Sequence, residues 1–455
     1  MNIKFCGAAR MVTGSNHLLE VANKKYLIDC GLTQGSQFVE EQNYQKLPYD
    51  AKEIEAVFVT HAHIDHIGLL PRLVNEGFAG KIYSTIPTAD LVIPMLEDAC
   101  HILKREAQEN RKAMIYQERD VRDCFELFEG TEYGVETKVN KNIKVRFRDA
   151  GHVLGSAIIE IWAEENDEKI KIVFSGDLGN PPTPLLMPTE IIKDADYILI
   201  ESTYGNRVHE DKDLRKGLLR AAIEETIKAG GVMMLPAFAL ERTQELLFEL
   251  NELVENKKIP PIPIFIDSPL AIRLTDIYKK YQRYYNQKAK YLISQGDQIF
   301  DFPGLRFTER TPESKKINDV PPPKLIIAGS GMSNGGRILH HERRYLSDPK
   351  NLLLIIAYQS AGSLGRRLFE GEKTVRMFGG QVQVRCKVKA IGGYSAHADK
   401  KGLVKWLSGF DTKNIKKVFV VHGEEKAALS LVDEIKNKLS VDAIAPSKGD
   451  VEELN

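Results

Sequence analysis

A chain of 455 residues is long enough for more than one domain, and its 63 basic and 63 acidic side chains leave a formal net charge of zero. That balance removes any global electrostatic argument for nucleic-acid binding, so such a role has to rest on local patches. Five scattered cysteines (Cys6, Cys30, Cys100, Cys124, Cys386) make no CxxC pair and read as reduced, buried thiols of a cytoplasmic protein; no uncharged apolar run approaches the roughly 18 residues of a membrane span.

The chain opens as a strand rather than a signal peptide, and residues 3–6 and 17–29 read as short strands around a turn-rich loop. Tyr26-Leu27-Ile28 runs into Asp29, and a carboxylate at the end of a buried strand is costly unless it is paired. The apolar, β-branched run 56–60 then delivers His61, His63, Asp65 and His66. In extended backbone His61 and His63 point to one side, while Asp65 and His66 turn with the chain. Imidazole and carboxylate are what zinc, manganese or iron accept, and the spacing is too short for one ion to use all four, so two ions are expected. A helix is expected to follow, with Pro71 in its first turn.

Residues 88–111 and 117–128 read as charged helices, and His101 among them is no ligand. Strand 143–147 leads to Gly151-His152-Val153-Leu154-Gly155-Ser156, strand 170–174 to Asp177, and strand 196–200 to Glu201-Ser202-Thr203-Tyr204-Gly205. Buried strands ending in a histidine or carboxylate thus recur at 29, 61, 152, 177 and 201, which is how an open α/β scaffold converges ligands on one site.

A second α/β alternation follows: helix 211–229, strand 231–236, helix 241–251, strand 262–266 and helical segments within 271–295. Strand 324–328 enters a glycine-rich loop carrying Ser330, Gly331 and Arg337, and strand 352–357 precedes a loop, 358–367, ending in Arg366 and Arg367. Such a loop lets backbone N–H groups approach an anion, but it lacks the P-loop lysine, which argues against a nucleoside triphosphate. Residues 324–400 hold 13 Lys or Arg against 5 Asp or Glu, a local basic stretch suited to a phosphate backbone. The chain closes with Tyr394-Ser395-Ala396-His397, strand 418–421 ending at His422, and an amphipathic helix over 427–439. The histidines outside these patterns (His17, His101, His209, His340, His341) read as structural or surface residues.

The HxHxDH run at 61–66, the GHxxGS run at 151–156 and the strand-end carboxylates resemble the metallo-β-lactamase superfamily. ESTYG at 201–205, the 209–389 insert, His397 and His422 resemble its β-CASP branch, the RNA nucleases that include the mRNA 3′-end cleavage subunit and ribonuclease J. The resemblance implies an αββα metallo-β-lactamase sandwich (1–208 and 390–455) with an inserted β-CASP α/β domain (209–389). It implies two zinc ions, or manganese: the first held by His61, His63, His152 and Asp177, the second by Asp65, His66, His422 and the shared Asp177, with Asp29 orienting ligands. Asp65, Asp177, Glu201 and His397 would carry catalysis, His397 as general acid held by Glu201; Ser330, Gly331, Arg337, Arg366, Arg367 and Ser395 would contact substrate. The implied partner is single-stranded RNA, with no membrane, no obligatory protein partner and room for a homodimer. The implied reaction is hydrolysis to a 5′-phosphate and a 3′-hydroxyl.

Two other classes compete. A small-molecule thioester or lactam hydrolase needs the ligands from His61 to Asp177 but not Glu201, His397 or a basic insert. A dead scaffold subunit would have lost ligands, and none is missing. DNA-processing relatives typically lack the last histidine, so His422 favours RNA. With only a short segment after His422 and no N-terminal KH-like extension, the chain reads as a freestanding endonuclease more readily than a 5′-exonuclease of ribonuclease J type.

Overall fold

The structure, a computed structural model, describes the chain apart from residues 36, 210–213, 357–358 and 360–361 and the side chains of 37 and 38. The expected start of the 211–229 helix and most of the 358–361 loop therefore lie outside the described residues. The chain divides into two compact units, Met1–Val208 with His397–Asn455, and His209–Ala396.

The first unit stacks two seven-stranded sheets. One runs Val451–Glu453, Asn2–Phe5, His17–Val21, Lys24–Ile28, Ile54–Phe58, Lys81–Thr85, Phe128–Thr131. The other runs Ala443–Ile444, Lys417–Val421, Tyr197–Glu201, Glu168–Phe174, Ala157–Glu165, Ile143–Asp149, Glu136–Lys138. Strand side chains alternate between faces, and that period writes the layers. In Tyr197–Glu201, Tyr197 and Leu199 join Phe5, Ile28, Phe58 and Phe147 in one core, while Ile198 and Ile200 join Leu403, Trp406 and Leu431 in another. The strand is buried on both faces, which is why it reads as a continuous apolar run. Helices Lys400–Leu407 and Glu425–Leu439 cover that outer face. Helices Leu70–Asn75, Ile86–Asn110 and Glu118–Phe125 pack together and against the first sheet's edge strands, giving the αββα order. All five cysteines are buried and free, and burial pushes the Cys30 thiol up to about 12.

Two helices differ from expectation for local reasons. Asp65 and His66 themselves lie in a short helix, Ile64–Ile67, which is followed by Leu70–Asn75 with Pro71 in its first turn. The long helix starts at Ile86 rather than 88 because Thr85 Oγ1 caps it, accepting from the Thr88 N–H at 3.3 Å. Thr85 Oγ1 also donates to the Gly155 carbonyl at 2.6 Å, tying this helix start to the GHxxGS loop. Gly155 has φ +79°, and a Cβ there would lie 2.7 Å from the Thr88 nitrogen, so only glycine fits.

The second unit is a six-stranded, all-parallel sheet ordered Leu305–Phe307, Ile264–Ile266, Lys324–Ala328, Val232–Pro236, Leu352–Ile355, Lys387–Ala390, with a separate hairpin, Thr374–Met377 and Gly380–Gln383. Residues 391–396 stay with this unit rather than the first. Lys387–Ala390 is an edge strand of its sheet, the buried Arg215 donates to the Gly393 carbonyl, and the buried Arg242 donates to that of Tyr394.

Candidate metal centre and active site

Most expected ligands of the first unit sit where a strand stops, while Asp65 and His66 lie in the short helix Ile64–Ile67. His61 and His63 follow Ile54–Phe58, Asp177 follows Glu168–Phe174, and Glu201 and His422 end or follow neighbouring parallel strands. Because Glu201 pairs with Val421 across that ladder, Glu201 and His422 emerge on the same edge.

The side chains meet nitrogen to nitrogen. His61 Nε2 lies 3.0 Å from His63 Nδ1, and His152 Nε2 lies 3.3 Å from that same Nδ1. His66 Nε2 lies 3.1 Å from His422 Nε2, which is 3.4 Å from Asp65 Oδ2. Asp177 Oδ2 joins both groups, at 3.4 Å from His61 Nε2, 3.6 Å from His152 Nε2 and 3.4 Å from His66 Nε2. Burial and the neighbouring imidazoles hold His61, His63 and His152 below the ordinary histidine range, His63 to about 3, so they are neutral with lone pairs to give. Burial would raise the Asp177 carboxyl, but the surrounding imidazoles win and hold it well below the usual range. Two donor sets, His61, His63, His152 with Asp177, and Asp65, His66 with His422, each gather within 4.8 Å. His66 differs: burial would lower its imidazole, but the carboxylates of Asp177, Asp29 and Asp65 outweigh it and carry it well above the ordinary range. Imidazoles and ionised carboxylates converging in this way fit divalent metal ions.

Asp29 does what its strand-end position requires. Its Oδ2 meets His66 Nδ1 at 2.7 Å, and it accepts from the Ser15 and Thr60 hydroxyls and the Thr60 N–H. Its φ of +59° aims it inward. Several residues that sequence reasoning passed over complete this layer. Thr60 Oγ1 also lies 3.0 Å from His61 Nδ1, and Thr203 Oγ1 lies 3.2 Å from His422 Nδ1. Ser202 donates to the Val421 carbonyl, and Ser175 accepts from the Glu201 N–H. The available signal was a hydroxyl residue next to His61 and Glu201 and two before Asp177. His17, read as structural or surface, is buried on the strand behind Asp29.

His397 Nδ1 lies 3.3 Å from Glu201 and 3.8 Å from Asp177 Oδ2. Glu201 Oε1 is fixed by the Leu178 N–H at 2.7 Å. Burial alone would lower the His397 imidazole, but the carboxylates of Glu201 and Asp177 outweigh it and carry it up to about 9.

The residues expected to touch substrate are mostly engaged within the second unit. Ser330 Oγ accepts from the N–H groups of Asn334 and Gly335, and the Gly331 carbonyl accepts from Gln359. Arg337 departs from expectation: its guanidinium donates to Asp267 at 2.7 Å and to the Thr308 and Glu309 carbonyls. Arg366 pairs with Glu370 and Arg367 with Glu372, both at the surface. Ser395 is half-buried.

The Beta-Casp domain matches residues 243–368, the Zn-dependent metallo-hydrolase RNA specificity domain 381–446, and the metallo-beta-lactamase superfamily 11–90. The chain is 37% identical over 431 residues to ribonuclease TTHA0252 of Thermus thermophilus, covering 95% of each chain. It is 33% identical to an RNase J-like protein of Methanocaldococcus jannaschii over 99% of each chain. It is also 31% identical to the transcription termination factor FttA of Methanosarcina mazei, covering 96% of this chain and 69% of that one. A crystal structure of a protein of unknown function from Enterococcus faecalis V583 shares the fold over 100% of this chain and 99% of that one, with a TM-score of 0.55 at 13% identity. Strand-end ligands, insert and relatives agree: the chain belongs to the β-CASP ribonuclease family of the metallo-β-lactamase superfamily.

Proposed function

We propose that the protein is a dinuclear, zinc- or manganese-dependent endoribonuclease of the cytoplasm that cuts single-stranded RNA to leave a 5′-phosphate and a 3′-hydroxyl. The observation that carries the reading is the single carboxylate oxygen, Asp177 Oδ2, within 3.6 Å of histidine nitrogens from both donor sets. His61, His63, His152 and Asp177 would hold one ion, and Asp65, His66, His422 and Asp177 the other. A metal pair supplies an activated water and charge for an in-line phosphoryl displacement.

The chain's own groups do the rest. Glu201, fixed by the Leu178 N–H, faces Nδ1 of His397 and keeps a proton on that ring. Nε2 is then the atom that gives a proton to the leaving 3′-oxygen. Asp29 and Thr60 set the tautomers of His66 and His61 through their Nδ1 atoms. Ser330, Gly331, Arg366, Arg367 and Ser395 are proposed to meet the RNA backbone, while Arg337 shapes the glycine-rich loop. The metallo-β-lactamase domain would comprise residues 1–208 and 397–455, and the β-CASP domain 209–396. Among the described residues no helix is long and apolar enough to cross a membrane.

The RNase J-like relative supports a second reading, a 5′-to-3′ exoribonuclease. One experiment separates the two: a labelled 5′-monophosphorylated RNA is offered linear and circularised, to wild type, His397→Ala and Asp177→Asn. Cutting of the circle by wild type alone supports the endonuclease and both roles. Degradation of only the linear form to mononucleotides gives the exonuclease, and variants as active as wild type defeat the site.

A further inference from the structure

The second unit carries an exposed aromatic ring in a backbone conformation that disfavours it. In the hairpin Thr374–Met377 and Gly380–Gln383, Met377 pairs with Gly380, leaving Phe378 and Gly379 as a two-residue turn. Their φ angles are +49° and +79°, the pattern of a type I′ turn. Asn-Gly is the favoured pair there, and a bulky L side chain at the first place is strained. Val375, Met377 and Val382 point into the core, so the hairpin is anchored without Phe378, whose ring is 51% exposed.

The surroundings of that ring are polar and positive. The exposed His340 stacks against it, centroids 4.7 Å apart and planes at 23°. The Arg343 guanidinium lies 5.6 Å from its centroid. Arg376, two residues before it, is exposed, and among the described residues neither arginine forms an ion pair. An interface for another protein would ring the aromatic with apolar neighbours. A flat ring flanked by imidazole and guanidinium planes with free positive charge is what a nucleobase and its phosphate accept.

We propose that Phe378, with His340, Arg343 and Arg376, is a stacking platform that holds a base of the RNA strand, separate from the metal centre. This rests on the ribonuclease reading. The strained turn is then retained for the ring it displays.

Phe378→Asn removes the ring and suits the turn. In the Asp177→Asn background, anisotropy titration with a single-stranded oligoribonucleotide should show affinity about tenfold weaker for Phe378→Asn and restored for Phe378→Trp. Its melting temperature should equal or exceed the parent's, and with Asp177 intact, hydrolysis of bis(p-nitrophenyl) phosphate should be unchanged. Unchanged oligonucleotide affinity would overturn the proposal. So would a lower melting temperature with matching loss of phosphodiester turnover, which marks a structural tip. A dimer that Phe378→Asn dissociates while RNA affinity stays put would assign the ring to a second copy instead. A parent that neither binds nor cuts RNA defeats the ribonuclease reading itself.

Discussion

The two units each place an aspartate at the carboxyl end of a buried strand, and the two aspartates live in opposite surroundings. Asp177 meets crowded imidazole nitrogens, and among the described residues its Oδ1 has no hydrogen-bond partner. Asp267, after Ile264–Ile266, is saturated: it accepts from Thr308 Oγ1, Ser314 Oγ, Arg337 Nη1 and His341 Nε2, all at 2.9 Å or less. Burial would raise the Asp267 carboxyl, but those donors overcome it and bring it down to about 2. A saturated buried carboxylate holds its own fold together. An unsaturated one among crowded imidazoles has acceptor capacity left for what the protein binds.

That contrast predicts opposite costs. Asp267→Ala strips the partner from a half-buried guanidinium and a buried imidazole and should lower folding stability by about 3 kcal/mol, read by denaturant unfolding. Asp177→Asn should leave unfolding of the metal-free protein within about 1 kcal/mol while abolishing RNA cleavage. Equal stability losses in the two variants would erase the distinction drawn between the aspartates.

The strand-end ligands were legible in the sequence because burying a carboxylate or histidine at the end of an apolar run is expensive and therefore conspicuous. The partners that fix them were not. Thr60 meets Asp29 across 31 residues and Thr203 meets His422 across 219, and no periodicity links such positions. The acceptor that Arg337 meets, Asp267, lies 70 residues away and was equally invisible. The αββα layers were readable from doubly buried strands such as Tyr197–Glu201. The return to the first unit at His397 was not, because it depends on Arg215 and Arg242 gripping the backbone of 393 and 394.

A third acid tests the saturated unit from another side. Glu342 is buried and, among the described residues, receives one hydrogen bond, from Ser333 Oγ, while its Oε2 has no partner there. Burial raises its carboxyl to about 8, only partly offset by that hydroxyl. A folded value above the unfolded one means the folded state binds the proton more tightly. The stability it lends is complete below the unfolded value and is lost as pH rises through about 8. Glu342→Gln should therefore gain on wild type between pH 5 and pH 9, by up to about 4 kcal/mol. Melting curves of both proteins across that range, running parallel, would show that Glu342 is paired after all.

The smallest effect sharpens the comparison most, because it touches no ligand atom. Thr60 Oγ1 stands within 3.2 Å of Asp29, His61 Nδ1 and His66 Nδ1, so one hydroxyl serves both donor sets. Thr60→Val keeps the β-branched shape that the strand end packs around, and the Thr60 N–H to Asp29 bond at 2.8 Å survives. What disappears is the group that fixes the His61 tautomer and braces Asp29 against His66. Zinc affinity, measured by competition with a chelator, should weaken about 10- to 100-fold. Stability of the metal-free protein should change by no more than about 1 kcal/mol, because Ser15 and His66 still satisfy Asp29. A valine variant that binds zinc as tightly as wild type would show that Asp29 alone orients the site. A variant that loses metal without losing stability would place Thr60 with the unsaturated centre, where hydroxyls serve what is bound rather than what is folded.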